Sequence, residues 1–223
     1  MALSNFRAPP LPNPPTDWDA QYMRQVIRVL GVYFSQLDSR TPNNAQSYTA
    51  DNFYGSGVHI TVPYGQFSSN TTQTIAAVDT AYAVTYTQSD FVDGVTLSSG
   101  SRLTVPHEGV YLVTFSLQLK NTINDVHDVD VWLRKNGTDI ADTNSQFSIP
   151  ARKSTGSDSH LIATTPIMVQ LVANDYIEVM WHATSTGVSM PALAAVTASP
   201  GVTPAIPATQ SAIVQVQYVS GVT

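Results

Sequence analysis

The densest group of chemically capable side chains in the sequence lies at residues 124–130, which are Asn-Asp-Val-His-Asp-Val-Asp. The segment brings the carboxylates of Asp125, Asp128 and Asp130 close together along the chain. Carboxylate and amide oxygens are ligands for a hard cation such as Ca²⁺, although this spacing is not that of an EF-hand loop. The segment is therefore either a weak Ca²⁺ site or, as its pattern favours, a solvated loop that leads into a strand. No other cofactor is indicated.

Trp132 follows this segment and alternates with Val131 and Leu133. Neighbours in a strand point to opposite faces, so Trp132 is expected on the face opposite the two aliphatic side chains. There it either packs against other residues or offers a ring on which a sugar can stack. A pair of carboxylates can also hydrolyse a glycosidic bond, but no pattern marks such a pair, and Glu occurs only as Glu108 and Glu178.

The motifs of the common enzyme classes are missing from the sequence. It contains no Gly-x-Ser-x-Gly elbow, no phosphate-binding loop, no dinucleotide-binding glycine pattern and no His-Glu-x-x-His. It has no cysteine, and its histidines lack the paired spacing of a metal site. These histidines are His59, His107, His127, His160 and His182. The sequence therefore predicts a protein that is not an enzyme.

The composition limits the classes of partner. The chain has 223 residues, 43% hydrophobic and only 12% charged, with a net charge of −6. An acidic balance disfavours nucleic acid and anionic membrane surfaces as partners, because both would require a basic patch. No segment has the length of apolar sequence that spans a bilayer, and the first residues lack the layout of a signal peptide. We therefore expect neither nucleic acid nor membrane as a partner, and synthesis in a cytoplasm.

The N-terminal residues 1–15 are predicted to form an extended, proline-rich arm. Its prolines forbid helix and sheet pairing, and together with the following tryptophan they are the candidate anchoring residues. These residues are Pro9, Pro10, Pro12, Pro14, Pro15 and Trp18. Thr16 then starts a pattern close to a capping box, which predicts an amphipathic helix over residues 16–38.

This helix has an apolar seam whose members are alternately three and four residues apart. They are Met23, Val26, Leu30, Tyr33 and Leu37. The spacing is that of a coiled coil, and an isolated helix of this length needs a partner. The helix either packs on its own β-domain or associates with other copies, and the two-position seam favours association.

Beyond the helix, residues 39–74 are predicted to be a linker with the first β segments, and residues 75–223 a jelly-roll β-sandwich. Apolar residues recur at every second position in several segments, such as Tyr111 to Leu119. Asn136-Gly137 predicts a tight hairpin, and the segment from Ala212 is expected inside a sheet. The fold class is mainly β, preceded by the arm and one helix.

One segment, residues 190–210, does not fit the β pattern. It is rich in Ala, Pro and Thr, carries no charge and shows no period in the sequence. Long loops of this kind are uncommon in compact domains and are often functional or mobile. The segment is either a flexible surface loop or an ordered contact loop that lies on a neighbouring subunit or partner.

Three segments in the β region resemble a known superfamily. They are Gly-Val-Tyr-Leu-Val-Thr-Phe at residues 109–115, Val-Trp-Leu-Arg-Lys-Asn-Gly at 131–137 and Leu-Val-Ala-Asn-Asp-Tyr-Ile-Glu-Val at 171–179. In this order they are similar to the trimeric jelly rolls of tumour necrosis factor and the complement globular heads, over residues 75–219. Asn174 stands where that superfamily usually has glycine. The resemblance implies a homotrimer.

The N-terminal part resembles small structural proteins of tailed phages, notably cyanophages and other marine phages. The resemblance lies in Pro-Pro-Thr-Asp-Trp-Asp at residues 14–19 and in the helix end at residues 33–38. It implies a virion protein, assembled in the host cytoplasm, whose arm and helix dock on the major capsid protein or another virion protein. The short anchor favours a homotrimeric capsid decoration (cement or head-fibre) protein. The alternatives are a tail fibre, tail-tip or neck appendage that contacts the host receptor, and a carbohydrate-binding module.

Overall fold

The structure is a computed structural model. It describes residues 12–13, 15–38, 62–78, 80–199 and 204–221, without the side chains of residue 33 and residues 35–38. The chain divides into two compact units, Met1–His59, which contains the helix, and Ile60–Thr223, which contains every described strand.

Part of the predicted anchor lies outside the described residues. This applies to Pro9, Pro10 and Pro14 of the arm, and to the side chains of Tyr33 and Leu37 of the seam. Of the described members, Pro12 is half-buried, whereas Pro15 and Trp18 are exposed to solvent.

The helix, α1 (Ala20–Asp38), begins later than the expected start at Thr16. Asp19 is its N-cap: the Asp19 carboxylate accepts a hydrogen bond from the Gln21 N–H at 2.8 Å, and the Asp19 carbonyl accepts one from the Met23 N–H at 3.2 Å. Aspartate caps at least as well as threonine, and its charge also faces the positive end of the helix. The prediction of a start at Thr16 is therefore wrong.

The β-sandwich consists of two antiparallel sheets. In chain order the strands are β1 (Tyr64–Ser69), β2 (Gln73–Thr74), β3 (Tyr82–Ala83), β4 (Gln88–Asp93), β5 (Thr96–Ser98), β6 (Arg102–Thr104), β7 (Gly109–Asn121), β8 (His127–Lys135), β9 (Thr138–Asp139), β10 (Ser145–Ile149), β11 (Ser159–Leu171), β12 (Tyr176–Ala183), β13 (Val188–Met190) and β14 (Ala212–Ser220). The β7 sheet has the order β2-β13-β7-β14-β1-β4, with β11 also paired to β7. The β8 sheet has the order β10-β8-β12-β6-β5, with β3 paired to β12 and β9 to β8. The predicted fold class, a mainly β jelly-roll sandwich with one helix, is confirmed.

The core lies between the two sheets and follows the predicted alternation. Every second residue of β7 from Tyr111 to Leu119 is fully buried, and so are Val129, Val131 and Leu133 of β8. All of them belong to one continuous hydrophobic cluster. The other face of each sheet, which points away from this core, is called its outer face below.

The alternation of buried side chains continues beyond the end of strand β3. The pattern Tyr82, Val84 and Tyr86 predicts a strand, but β3 ends at Ala83. The Val84 N–H donates to the carbonyl of Val179, whereas the Tyr86 N–H donates to the carbonyl of Gly100. The chain therefore changes its hydrogen-bonding partner here while its alternate side chains stay buried.

The predicted hairpin at Asn136-Gly137 is confirmed, because both residues have positive φ angles, 49° and 84°. This turn contacts the turn before β12. The Asn136 amide donates to the Asp175 carboxylate at 2.6 Å, and the Asn136 side-chain oxygen accepts the Tyr176 N–H at 3.0 Å. The Asp175 carboxylate also accepts the Val172 N–H at 2.9 Å. Asp175 thus connects two turns that are distant in sequence.

Residues 190–210 contain a paired ribbon rather than an irregular loop. Leu193 exchanges two backbone hydrogen bonds with Thr209, and Val196 exchanges two with Ile206. The two pairs are three residues apart in the chain, whereas hydrogen-bonded pairs in a regular antiparallel ladder recur every two residues. A spacing of three matches neither the strand period of two nor the helix period of 3.6, so neither pattern indicates it in the sequence.

The sandwich unit is expected to fold without the N-terminal unit. A chain that starts at Ile60 keeps every described strand and the whole hydrophobic cluster. We expect this variant to unfold cooperatively, with a midpoint within a few degrees of that of the full chain, in thermal denaturation followed by circular dichroism. A variant without a cooperative transition would show instead that the N-terminal unit is part of the folding unit.

Candidate functional site

The acidic residues singled out in the sequence lie around the start of β8, and each is bound locally. The Asp125 carboxylate accepts the Val126 N–H at 2.8 Å, and the Asp128 carboxylate accepts the Ser148 hydroxyl at 2.6 Å. Among the described residues, no three carboxylate, histidine or cysteine groups come together as ligands of one metal ion. The geometry therefore gives no support to the Ca²⁺ interpretation.

Asp130 differs from Asp125 and Asp128, because its side chain lines a pocket on the outer face of the β8 sheet. One carboxylate oxygen accepts the Asn144 amide at 3.0 Å, and the other lies 3.5 Å from Nδ1 of His182. Asp130 and His182 are direct partners in the register of β8 and β12. This pairing across two strands holds the imidazole at the pocket.

The pocket is formed by these two strands and by the connection from β9 to β10. It has a volume of about 490 Å³ and opens to solvent. Its lining consists of Asp130, Trp132, Asp139, Ile140, Ala141, Asp142, Asn144 and His182. Small-molecule sites are usually lined mostly by apolar and aromatic side chains, whereas this lining combines the indole ring of Trp132 with five polar side chains. We call it the Trp132 pocket.

Trp132 is held in place by a hydrogen bond that its indole N–H donates. Its indole N–H donates to the Asp139 carboxylate at 2.8 Å, and the same oxygen accepts Nε–H of Arg134 at 2.7 Å. The hydrogen bond from Arg134, with a second contribution from Trp132, lowers the pKa of Asp139. Asp139 is therefore ionised at neutral pH, which suits a fixed acceptor and not a general acid.

Asp142 is the polar group of the pocket with the greatest freedom to bind a ligand. Its side chain is exposed, and the described part of the chain offers its carboxylate no hydrogen-bond donor. Its φ of 62° lies in the left-handed region, which Asp and Asn adopt more readily than most residues.

Comparisons with models of protein families and with curated protein sequences find no match to this chain. None of the helical residues described forms a segment long and apolar enough to cross a membrane.

The outer face of the β7 sheet has a different chemistry from the Trp132 pocket. Side chains of the three adjacent strands β11, β7 and β14 form it, and its central region is uncharged. These residues are Ile162, Thr164, Pro166, Met168, Leu112, Thr114, Ser116, Gln118, Ile213, Gln215 and Gln217. Met168 is 64% exposed, and Ile162 is exposed as well. We call this surface the uncharged face.

The uncharged face continues toward the other edge of the same sheet. There a groove of about 450 Å³ lies between β1, β4 and β14, next to the aromatic residues Tyr64 and Phe91. Phe91 is 67% exposed. Charged side chains lie at the margins of the face, with Asp90 and Asp93 in the edge strand β4 and Lys120 near the end of β7. A large, mostly uncharged surface with exposed aliphatic and aromatic groups is typical of a protein contact.

The sequence indicates one wall of the Trp132 pocket and gives no signal for the rest. Trp132 lies on the face opposite Val131 and Leu133, as expected, and Trp181 is buried in the core. Asp142 and Asn144 gave no signal, because a lone Asp and a lone Asn in a turn are common. Only the pairing of β8 with β12 brings His182 to the same place.

Proposed function

We propose that this chain is a phage virion structural protein without enzymatic activity: a homotrimeric capsid decoration (cement or head-fibre) protein. The arm and helix anchor it to the major capsid protein or to another virion protein, and the β-sandwich projects outward. The virion assignment rests on the resemblance of the N-terminal residues to phage proteins. The trimer is supported by one observation above all, the uncharged face of the β7 sheet.

Two features support contact through this face and not through the sheet edge. The strand β11 pairs only with β7 among the described strands, so its other side is an edge. Pro166 lies in the middle of β11 and cannot donate a backbone hydrogen bond, which interrupts the addition of a further strand. Burial of the uncharged face needs no desolvation of charge, so association there has a low electrostatic penalty.

The helix supplies a second contact between copies. Ile27 is 64% exposed, and Leu30, which follows three residues later on the same side of α1, is also exposed although both side chains are aliphatic. Such side chains on a helix are stabilised when a partner helix covers them. The net charge of −6 supports a protein partner and not nucleic acid or an anionic membrane.

A tail fibre, tail-tip or neck appendage that contacts the host receptor is the second candidate, and the Trp132 pocket favours it. Copy number separates the two. Quantitative mass spectrometry of virions that carry this chain should find hundreds of copies per particle for a decoration protein. A few copies, or a few tens, would assign it to an appendage, and a cryo-EM map would locate it directly.

The trimer is tested by mass photometry of the full chain at micromolar concentration, where we expect the mass of three chains. Met168→Asp introduces a charge into the uncharged face and should shift the population toward monomers, most completely in combination with Leu30→Asp. Val126→Asp is the matched control, because Val126 is 55% exposed but lies in the connection between β7 and β8. A monomeric unsubstituted chain would contradict the proposal, as would a trimer that withstands both substitutions.

A further inference from the structure

We infer that the Trp132 pocket binds a neutral saccharide unit. The inference goes beyond the proposed function and does not depend on it, since it concerns the outer face of the β8 sheet alone. It rests on the shape of the pocket, on the fixed aromatic ring and on the balance of hydrogen-bond donors and acceptors.

The ring of Trp132 presents carbon surface to the pocket. The only polar atom of the indole, its N–H, is already bound to Asp139 at 2.8 Å, so the ring has no further hydrogen bond to offer a ligand. Trp132 is half-buried within the sheet, and its position is fixed by this bond. A rigid aromatic surface of this kind suits a ligand with an apolar face of aliphatic C–H groups.

The polar groups of the pocket are mostly acceptors. The Asp142 carboxylate has no donor within the described residues, and the Asn144 amide binds Asp130 through its nitrogen, which leaves the amide oxygen available. Each carboxylate oxygen of Asp130 can accept further bonds as well. A matching ligand must therefore bring several donors, as the hydroxyl groups of a sugar do.

Charge narrows the class of saccharide. Three carboxylates, Asp130, Asp139 and Asp142, line the pocket, and its lining residues include no lysine or arginine. Arg134 is bound to Asp139 at 2.7 Å and is not part of the lining, and the imidazole of His182 lies 3.5 Å from Asp130. A phosphorylated, sulfated or uronic acid ligand would meet like charge. A small metal ion is not favoured, because these carboxylates do not form a ligand cluster. A neutral sugar with an apolar face and several hydroxyl groups meets each of these conditions.

The test is isothermal titration calorimetry of the full chain with neutral oligosaccharides of glucose, mannose, galactose and N-acetylglucosamine, in the presence of EDTA. Polygalacturonate serves as the acidic comparison. We expect binding to at least one neutral probe and none to polygalacturonate. No binding to any neutral probe, or binding to polygalacturonate alone, would overturn the inference.

Substitutions at Trp132 and Asp142 test whether the saccharide binds in this pocket. Trp132→Ala should weaken it at least about tenfold, as expected for a central aromatic contact, and Trp132→Phe should restore part of the affinity because it keeps a ring. Asp142→Asn should weaken binding without a change in thermal midpoint, because Asn also tolerates the positive φ angle. Asp158→Asn, at a carboxylate remote from the pocket lining, is the control and should bind as the unsubstituted chain does. Binding that persists in Trp132→Ala and Asp142→Asn would refute the site, and release of reducing ends would refute its assignment as a binding site without catalysis.

Discussion

A chain that ends at Gln210, and so lacks β14, is expected not to fold. β14 lies between β7 and β1, and its residues Ala212, Val214 and Val216 are buried in the core. Without it, β7 loses a long antiparallel partner and the β1–β4 pair loses its link to the rest of the sheet. Both the exposed core and the unpaired backbone groups destabilise the sandwich.

The measurement is the unfolding transition in circular dichroism, together with the fraction of protein recovered without aggregation. A chain that ends at Gly221 is the matched control, since it keeps all of β14 and should melt like the full chain. A truncation at Gln210 that still melts cooperatively would show that the interior position of β14 is not required for the fold.

Asp175→Ala is expected to destabilise the sandwich by about 2 to 3 kcal/mol. The Asp175 side chain is almost buried and accepts hydrogen bonds from the Val172 N–H and the Asn136 amide. Removal of the carboxylate leaves both donors without their partner at the contact between two turns, at a cost of about 1 to 3 kcal/mol for each buried group that stays unsatisfied. The ion pair with Lys135, at 3.9 Å, adds little because the lysine is partly exposed.

The same carboxylate makes stability depend on pH. Burial alone would raise the pKa of Asp175, but the hydrogen bonds from Val172 and Asn136 and the nearby Lys135 outweigh it, so the pKa is lowered. A carboxyl group with a lowered pKa in the folded state stabilises the protein fully above its unfolded pKa of about 3.9, and this contribution is lost as the pH falls through the folded value. Acid should therefore reduce the stability of the unsubstituted chain more than that of Asp175→Ala.

Urea denaturation at pH 7 and at a series of values below pH 4 measures both effects. Asp158→Ala is the control, because within the described residues Asp158 forms only a partly exposed ion pair, with Lys120 at 3.5 Å, whose loss should cost less than about 1 kcal/mol. Equal destabilisation by the two substitutions would contradict the role assigned to Asp175.

The local elements of the fold can be predicted from the amino-acid pattern alone. The alternation from Tyr111 to Leu119 predicts a strand with one core face, because the side-chain period of a strand is two and burial rewards only one face. Asn136-Gly137 predicts its turn because both residues tolerate positive φ. The helix was predicted from its apolar spacing, but Thr16 and Asp19 are both acceptable caps, and only the structure distinguishes them.

The meeting of segments that are distant in the chain cannot be predicted in the same way and is seen only in the folded protein. Trp132 could be placed on an outer face from its neighbours, but no local pattern shows that β12 brings His182 beside Asp130, or that residues 139–144 close the pocket. The uncharged face likewise appears only when β11 and β14 pair with β7 in a particular register. Periodicity shows on which face of its own strand a residue lies. Strand order and register depend instead on burial of the whole core, because residues that are far apart in the chain form that core together.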